Sequence, residues 1–496
     1  MSQLILKLKG DDFYKGLSLQ SAFPIGGMWQ LLENYDPFKK LGRLFPTLGP
    51  TRKDNAGSGV SIGVPINAFD FYSDGTNRFL FAFGDKTVAD IGAYKINLDT
   101  DYITDLVAGG AFANRPGGAE SCSMVRYWKG RIIYDERTLG QALRSCTASG
   151  SDDKDVIGSL VGSNQHPSVI GPDGYFYFLN GQYIGRLIIS TGTSGNSSTT
   201  FDTLDSNLIG RDIDHDGQYI FAGFDNNLNK LSGIGADCQI IVWDRFKSYA
   251  EKRYTIKDSY IIAVRCLGSA CYVLTPSGWY VCSVASEPVL VYPMTSETPF
   301  NYFPTDYNQV SKDGHSIYWS NTTAGSKLIF AIGQKIAGKP KIVYNPYDSA
   351  NLGGVTILQT SLIVSKDYIY AGTNDPAVYK LNDVATKTVA AKPCPQYLPA
   401  PYTFSYAKIK LRTALGSGDE VSFSLYNSDD EIISGLESQA FGDKGAVKTL
   451  IFRKNATGGQ SVNDFADLYP YILTNVEISE IEIYGDPLPG NHNVQI

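Results

Sequence analysis

The chain has 496 residues, of which 43% are hydrophobic and 19% charged, and this composition excludes a disordered chain or a coiled coil as the main state. Its 43 Lys and Arg residues against 50 Asp and Glu residues give a net charge of −7, unlike the basic surface of a protein that recognises duplex nucleic acid. Gly and Tyr are abundant, whereas only 4 His residues occur. The composition therefore favours many short strands and turns over histidine-based catalysis.

The start of the chain and its cysteines indicate where the protein is made. The first twelve residues carry a Lys inside a short apolar run and do not form a secretory signal. No stretch reaches the ~18 apolar residues of a membrane span. The 7 cysteines include no CxxC pair, so neither a disulfide framework nor a zinc ribbon fits. Cys266 and Cys271 flank a predicted hairpin turn, Cys282 lies close by, and all three are predicted to fill a β core. We therefore predict a protein made in the reducing cytoplasm, without a membrane span.

Residues 1–55 match no repeat in the chain. Leu4, Leu6 and Leu8 alternate with other residues and predict a lone strand, and residues 28–35 predict one or two helical turns. The segment carries much apolar surface without a core of its own, so it must be covered. We predict an N-terminal arm over 1–55 that docks on a neighbouring subunit. The alternative is that its strand completes a propeller blade of the same chain and closes the ring. The predicted assembly surface consists of Trp29, Leu32, Phe38, Leu44 and Phe45.

Residues 56–390 contain a degenerate repeat. Each unit has two strand-like runs joined by a tight polar turn, and successive turns are 43 to 55 residues apart. This period is typical of the four-stranded blade of a β-propeller, and seven units are enough to close a ring. We predict an all-β fold with a propeller of about seven blades over 56–390. The turns lie near Asp74, Lys129, Asp173, Asp216, Leu267, Asp313 and Lys366.

The segment after the repeats predicts a second domain. Residues 390–401 hold four prolines, which cannot donate to a central strand, so 391–401 is predicted to be a linker. Residues 402–496 are predicted to form a small antiparallel β-sandwich with a short C-terminal tail. The strands expected there are Tyr402–Thr413, Glu420–Asn427, Val447–Lys454 and Tyr471–Gly485.

One local pattern resembles a metal site. Asp212, Asp214 and Asp216 alternate before Gly217, like the first half of a calcium-binding loop. The twelfth position of such a loop is Gly223 in place of Glu, so we favour a hairpin with Asp216–Gly217 as its turn. No other cofactor is predicted. The four histidines are far apart, and no nucleophile or phosphate-binding motif is present, so we predict that the protein is not an enzyme.

The whole chain resembles virion proteins of tailed bacteriophages, especially the propeller proteins of the tail hub or nozzle. The leader Asn34–Pro46, the degenerate propeller and the closing sandwich with Asn475–Leu488 carry the resemblance. It implies a non-enzymatic ring or collar protein, located in the virion after synthesis in the host cytoplasm. Its partners would be copies of itself and other virion proteins, with no sequence recognition of nucleic acid.

Two alternatives to this structural role stay open. The first is a carbohydrate-binding adhesin that holds a host-surface glycan on its aromatic turns, because aromatic rings stack on sugars. The second is a glycan-cleaving enzyme with a propeller core, whose pair of carboxylates cannot be located from sequence.

Overall fold

The computed structural model describes residues 2–9, 12–13, 29–33, 48–53, 59–85, 92–107, 122–136, 142–158, 160–161, 165–190, 197–226, 237–293, 304, 306–320, 329–336, 339–343, 359–365, 369–386, 389–454 and 465–488. Nearly all regular structure in these ranges is β-strand. Among these residues, no helix is both long enough and apolar enough to span a bilayer.

The chain forms two compact units. The larger holds residues 51–327 and 352–381, and the smaller holds 1–50, 328–351 and 382–496. The described residues among 2–33 thus group with the C-terminal part of the chain and are not a separate arm. The first three strands are β1 (Gln3–Lys9), β2 (Trp29–Glu33) and β3 (Leu48–Lys53).

Seven four-stranded antiparallel sheets follow the predicted repeat. The first four sheets comprise β4 (Ile66–Ser73), β5 (Arg78–Gly84), β6 (Gly92–Asn97), β7 (Ile103–Asp105); β8 (Val125–Trp128), β9 (Arg131–Glu136), β10 (Ala142–Thr147), β11 (Lys154–Ile157); β12 (Ser168–Ile170), β13 (Phe176–Asn180), β14 (Tyr183–Leu187), β15 (Ser197–Asp202); and β16 (Leu208–His215), β17 (Ile220–Asn226), β18 (Asp237–Trp243), β19 (Lys252–Lys257). The last three comprise β20 (Ala263–Leu267), β21 (Ala270–Thr275), β22 (Gly278–Ser283), β23 (Ser286–Pro293); β24 (Val310–Lys312), β25 (Ser316–Ser320), β26 (Ile329–Ile336), β27 (Lys339–Val343); and β28 (Gln359–Val364), β29 (Ile369–Thr373), β30 (Val378–Thr386), with β3 as the fourth strand.

Six of the predicted turns are confirmed, because each joins the first and second strands of one sheet, and the seventh, near Lys366, lies outside the described residues. The Asp-Gly pairs show why these residues turn the chain. The Asp74 carboxylate accepts hydrogen bonds from the Thr76 and Asn77 amides, and Gly75 has φ 92°. Gly217 follows Asp216 with φ 97°, in the left-handed region that glycine adopts without strain.

The first strands of the sheets form a closed ring. Neighbouring first strands pack against each other from β12 round to β28, and β28 of the seventh sheet packs against β4 of the first, which packs against β8. The Arg126 side chain of β8 reaches the Ser168 carbonyl of β12. The Ser361 hydroxyl donates to the Ile66 carbonyl at this closure, at 2.6 Å. Apolar clusters lie between successive sheets, as where the Phe83 and Tyr134 rings meet at 5.5 Å. From the seventh sheet through the first to the fifth, each sheet covers the apolar face of the next. The seven sheets confirm the predicted propeller of seven blades.

The described residues of 2–33 and 389–488 form a β-sandwich. Its further elements are β31 (Val389–Pro393), β32 (Gln396–Leu411), β33 (Glu420–Tyr426), β34 (Ile432–Ala440), α1 (Phe441–Lys444), β35 (Thr449–Arg453), β36 (Phe465–Thr474) and β37 (Ile478–Pro487). One face has the strand order β1-β37-β32-β35 and the other β2-β31-β36-β33-β34, with a short pairing of β32 and β36 between them. Phe423 packs on Phe404 and Phe452 of the opposite face, with ring centroids 6.4 and 5.4 Å apart.

The predicted linker over 391–401 is wrong, because this segment lies in β31 and the start of β32. Its prolines fit the strands in two ways. Pro393 is the last residue of β31, and the register of β32 against β36 shifts between Tyr397 and Tyr402, where Pro399 and Pro401 lie. A bulge does not require the amide that proline lacks. The predicted strand over 471–485 is two strands that meet at residues 475–477, and β34 was not predicted.

The strand predicted near the start of the chain forms, but its partner differs from both expectations. β1 pairs antiparallel with β37, with Leu8 opposite Ile481 and Lys7 opposite Glu482. The same chain therefore covers this strand, which is neither an arm on a neighbour nor part of a propeller blade. The predicted helical turns at 28–35 are also wrong over 29–33, since β2 pairs with β31 there.

Candidate functional site

A cavity of about 330 Å³ lies on the axis of the propeller. Residues from the first strands of all seven sheets line it. Alternation along a strand points every second side chain of these strands towards the axis. The charged residues among the lining are Asp70, Arg126, Asp212, Asp214, Arg265 and Lys312.

Asp70 and Arg126 join the first three sheets. The Asp70 carboxylate on β4 accepts a hydrogen bond from the Tyr127 amide on β8, at 2.6 Å. The Arg126 guanidinium on β8 donates to the Ser168 carbonyl on β12, at 3.4 Å. The Asp70 carboxylate of the first sheet thus holds the backbone of the second sheet, and the Arg126 guanidinium of the second sheet reaches the third.

Asp212 and Arg265 repeat this arrangement three sheets further on. The Asp212 carboxylate on β16 accepts from the Val264 amide on β20, at 2.7 Å, and forms an ion pair with Arg265. The Arg265 guanidinium donates to the Val310 carbonyl on β24, at 2.7 Å. The two relays therefore use the same residue types at corresponding places in the repeat.

Asp214 links the fourth, fifth and sixth sheets. Its carboxylate accepts from the Cys266 amide at 2.7 Å and forms an ion pair with Lys312 of β24. The Lys312 ammonium also donates to the Cys266 carbonyl, at 2.9 Å. The neighbouring His215 ring accepts a hydrogen bond at Nδ1 from the Gly217 amide, at 3.1 Å, and burial lowers the pKa of this imidazole.

The buried carboxylates differ in proton affinity. Burial raises the pKa of Asp70 to about 6, and the attraction of Arg126 offsets only part of the effect. Burial likewise raises the pKa of Asp212 to about 6, against the attraction of Arg265. Burial also acts to raise the pKa of Asp214, but Lys312 and Arg265 outweigh it, so this pKa is lowered. The surroundings of Asp214 therefore favour its ionised form, unlike those of Asp70 and Asp212.

A short 3-10 turn over Tyr307–Gln309 crosses the axis. The Tyr307 hydroxyl and the Asn308 side-chain amide both donate to the Ser123 carbonyl before β8, at 2.8 and 2.7 Å. Asp306 caps the turn and accepts from the Gln165 side chain before β12. Asn308 lines the axial cavity and also a polar cavity of about 210 Å³. The turn therefore separates two compartments on the axis.

At residues 212–217 the structure has the hairpin that we favoured over a calcium-binding loop. His215 and Ile220 close the turn, and the Asp216 carboxylate accepts from the Gln218 and Tyr219 amides, at 2.8 and 2.7 Å. Asp212 and Asp214 face Arg265 and Lys312. Among the described residues, no group of three or more acidic, His or Cys side chains has the arrangement of a metal site.

Of the predicted assembly surface, Trp29 is described with its side chain. Trp29 is 1% exposed, stacks on Phe13 at 6.2 Å between ring centroids, and donates from its indole to the Asp12 carbonyl. Its own chain covers it, so the prediction is wrong for this residue. The backbone of Leu32 pairs with Ala391 in the sandwich. The Leu32 side chain, Phe38, Leu44 and Phe45 lie outside the described residues.

The sequence reasoning missed an exposed aromatic loop between β18 and β19. Phe246 and Tyr249 are 81% and 59% exposed there. The Asp244 carboxylate accepts from the Phe246 and Lys247 amides, both at 2.9 Å, and Arg245 has φ 75°. The Arg245 guanidinium lies over the Phe246 ring, 5.2 Å from its centroid. The loop thus exposes two large aromatic rings to water. The signal in the sequence was Trp243–Asp244 followed by two aromatic residues and two cations.

No family model and no curated protein matches the sequence. The chain is similar to several solved structures. A chain of a mitotic checkpoint complex is 11% identical, with a TM-score of 0.44, over 66% of this chain and 93% of that one. BamB from Moraxella catarrhalis is 10% identical, with a TM-score of 0.38, over 77% of this chain and 100% of that one. The computationally designed Ika8 protein is 10% identical, with a TM-score of 0.42, over 77% and 100%.

Proposed function

We propose that this protein is a non-enzymatic structural component of a phage virion, of the tail hub or nozzle type, which assembles into a ring or collar. The assignment to a virion rests on the sequence resemblance, because a propeller by itself serves many functions. The non-enzymatic role rests on one observation. Among the described residues, the three carboxylates that line the axial cavity, Asp70, Asp212 and Asp214, each hold a neighbouring sheet.

The chemistry of those carboxylates supports this role. A general acid or base needs a carboxylate that reaches a substrate atom. Asp70, Asp212 and Asp214 instead each accept a backbone amide of the next sheet, at 2.6 to 2.7 Å. Arg126 and Arg265 face backbone carbonyls of the sheet after that. Groups engaged in this way resist separation of the blades, which suits a protein that bears load in an assembly.

The exposed loop 244–249 favours a second candidate function, a carbohydrate-binding adhesin. Rings that stay in water in a folded protein are typical of sites that stack on sugars or dock on proteins. Phe246 and Tyr249 are held by a local hydrogen-bonded turn and by Arg245 and Lys247, so binding would cost little ordering of the loop.

One pair of measurements separates the two functions. The full chain and its Phe246→Ala, Tyr249→Ala double variant are compared by light scattering and negative-stain electron microscopy, and then on a glycan array. The structural role predicts closed cyclic oligomers of the parent chain and no glycan binding. A chain that stays monomeric at every concentration, and binds a glycan that the double variant does not bind, would refute it. The variant Val289→Ala is the matched control, because Val289 is also exposed but lies on β23.

A further inference from the structure

Three thiols of the fifth sheet face one another across adjacent strands. Cys266 on β20 lies opposite Cys271 on β21, and Cys271 lies opposite Cys282 on β22. All three are buried in one apolar cluster between the fourth and fifth sheets. Residues directly opposite on antiparallel strands have Cα atoms about 4.5–5.5 Å apart, within the span of a disulfide. Cys271 therefore has two partners within reach, although it can bond to only one.

The position of each pair in its hairpin distinguishes the two partners. The β20–β21 hairpin closes on the Leu267–Ala270 pair around Gly268, which has φ 56°. The closing pair of a two-residue turn is hydrogen-bonded, and bonded and non-bonded pairs alternate along the ladder. Cys266 and Cys271, one step further, are thus a non-hydrogen-bonded pair, the kind whose side chains are closer.

Counting pairs along the β21–β22 ladder in the same way places Cys271–Cys282 in the class that is less favourable for a disulfide. The β21–β22 hairpin closes on Thr275–Gly278, and Cys271–Cys282 lies four steps further without a change of register. This pair is therefore hydrogen-bonded, with its Cα atoms about 1 Å further apart than in the non-bonded class. The two assignments are consistent with each other. The backbone amide and carbonyl of Cys271 point to the same neighbouring strand, so Cys271 is hydrogen-bonded to Cys282 and not to Cys266.

We propose that Cys266 and Cys271 are a modification site, at which a peroxide forms a cross-strand disulfide while Cys282 stays a thiol. One thiol loses its proton and its sulfur attacks a peroxide oxygen, the O–O bond breaks, and the leaving hydroxide takes up that proton, so a sulfenic acid and one water form. The second sulfur attacks the sulfenic sulfur, the S–O bond breaks, and a second water leaves. Two thiols and one peroxide thus give one disulfide and two waters.

Burial sets the rate of this reaction. Burial raises the pKa of Cys271 well above that of a free thiol, and the thiolate is the reactive form. Oxidation of the folded protein is therefore slow and limited by local opening of the fifth sheet. The site does not depend on the proposed function. Under that function, the bond would form after the particle leaves the reducing cytoplasm.

The test uses the full chain incubated with hydrogen peroxide. Remaining thiols are alkylated in denaturant, and the chain is cleaved without reduction by trypsin and chymotrypsin. Cleavage after Leu267, Tyr272 and Tyr280 separates the three cysteines, so mass spectrometry reads each linkage. We expect a Cys266–Cys271 linkage, a loss of two hydrogens per linked pair, and an alkylated Cys282. A Cys271–Cys282 linkage would overturn the proposal, as would three intact thiols after an incubation many times longer than the hydrogen exchange of the β21 amides, which reports local opening of the fifth sheet.

Serine variants test the choice of partner. Cys282→Ser should keep the linkage, and Cys266→Ser should lose it and leave Cys271 as a thiol. Cys238→Ser is the matched control, since Cys238 lies in the same apolar cluster but on β18 of the fourth sheet. Folding of each variant is checked first by circular dichroism, and Cys282→Ser alone still decides the question if Cys266→Ser does not fold.

Discussion

Replacing Asp214 with alanine should destabilise the propeller far more than the same change at Asp216, two residues further along the hairpin. Both carboxylates accept two backbone amides, but Asp214 is buried and so is its bond to the Cys266 amide, whereas Asp216 lies in a turn at the surface. Asp214→Ala leaves the buried Cys266 amide without its acceptor and removes the partner of Lys312. Hydrogen bonds to a charged group contribute about 1.5–3 kcal/mol each, and the partly exposed Lys312 adds little.

The expected loss of unfolding free energy is therefore about 3–5 kcal/mol for Asp214→Ala, and about 1 kcal/mol for Asp216→Ala. The larger unit has about 300 residues, and unfolding entropy is about 2 cal/mol/K per residue. A loss of about 4 kcal/mol should then lower the Tm by about 6 °C, which calorimetry resolves. Asp214→Asn should fall between the two, because an amide oxygen still accepts the Cys266 amide. Equal shifts for Asp214→Ala and Asp216→Ala would refute the view that the axial carboxylates hold the sheets together.

Three further perturbations follow from the axial ring. Asp70→Asn removes a carboxyl whose pKa is about 6 in the folded chain against 3.8 for a free side chain, so its proton is held more tightly in the folded state. The unfolding free energy of the parent should therefore fall by up to about 3 kcal/mol relative to that of the variant as the pH rises from 4 to 7. Denaturant melts at both pH values measure this difference, and a difference that does not change with pH would contradict the prediction. Tyr307→Phe should lower the unfolding free energy by about 1 kcal/mol and the Tm by about 2 °C, because the hydrogen bond from the hydroxyl to the Ser123 carbonyl is lost. A loss above 4 kcal/mol would contradict a role limited to this one hydrogen bond. A calcium chelator should leave the Tm unchanged, because Asp212 and Asp214 are bonded to Arg265 and Lys312; a fall of several degrees, restored by calcium, would reinstate the metal site.

The parts of the fold that could be predicted from sequence depend on local chemistry. Asp74–Gly75 and Asp216–Gly217 are signals for a turn wherever they lie between two apolar runs. The spacing of such signals gives the number of blades, because each blade repeats the same four strands. The sandwich strand with Ile481 and Ile483 was visible because alternation is a property of one strand alone.

The parts that sequence did not predict depend on residues far apart in the chain. Asp212 and Val264 are joined by a hydrogen bond over 52 positions, and nothing near either residue specifies the other. The Pro-rich segment was assigned to a linker because proline disfavours central strands, but a bulge in β32 accommodates Pro399 and Pro401. Trp29 was expected on an assembly surface because its neighbours in sequence form no core. The cover comes from Phe13 and the Asp12 backbone of the same chain.

The most direct test of the structural role is the protein composition of purified particles. Virions from a host culture that produces this chain are banded by density, and their proteins are quantified by mass spectrometry. The proposal predicts that the chain is present at a fixed number of copies per particle, and that washing in high salt does not remove it. Particles that are complete and infectious without the chain would contradict the proposal.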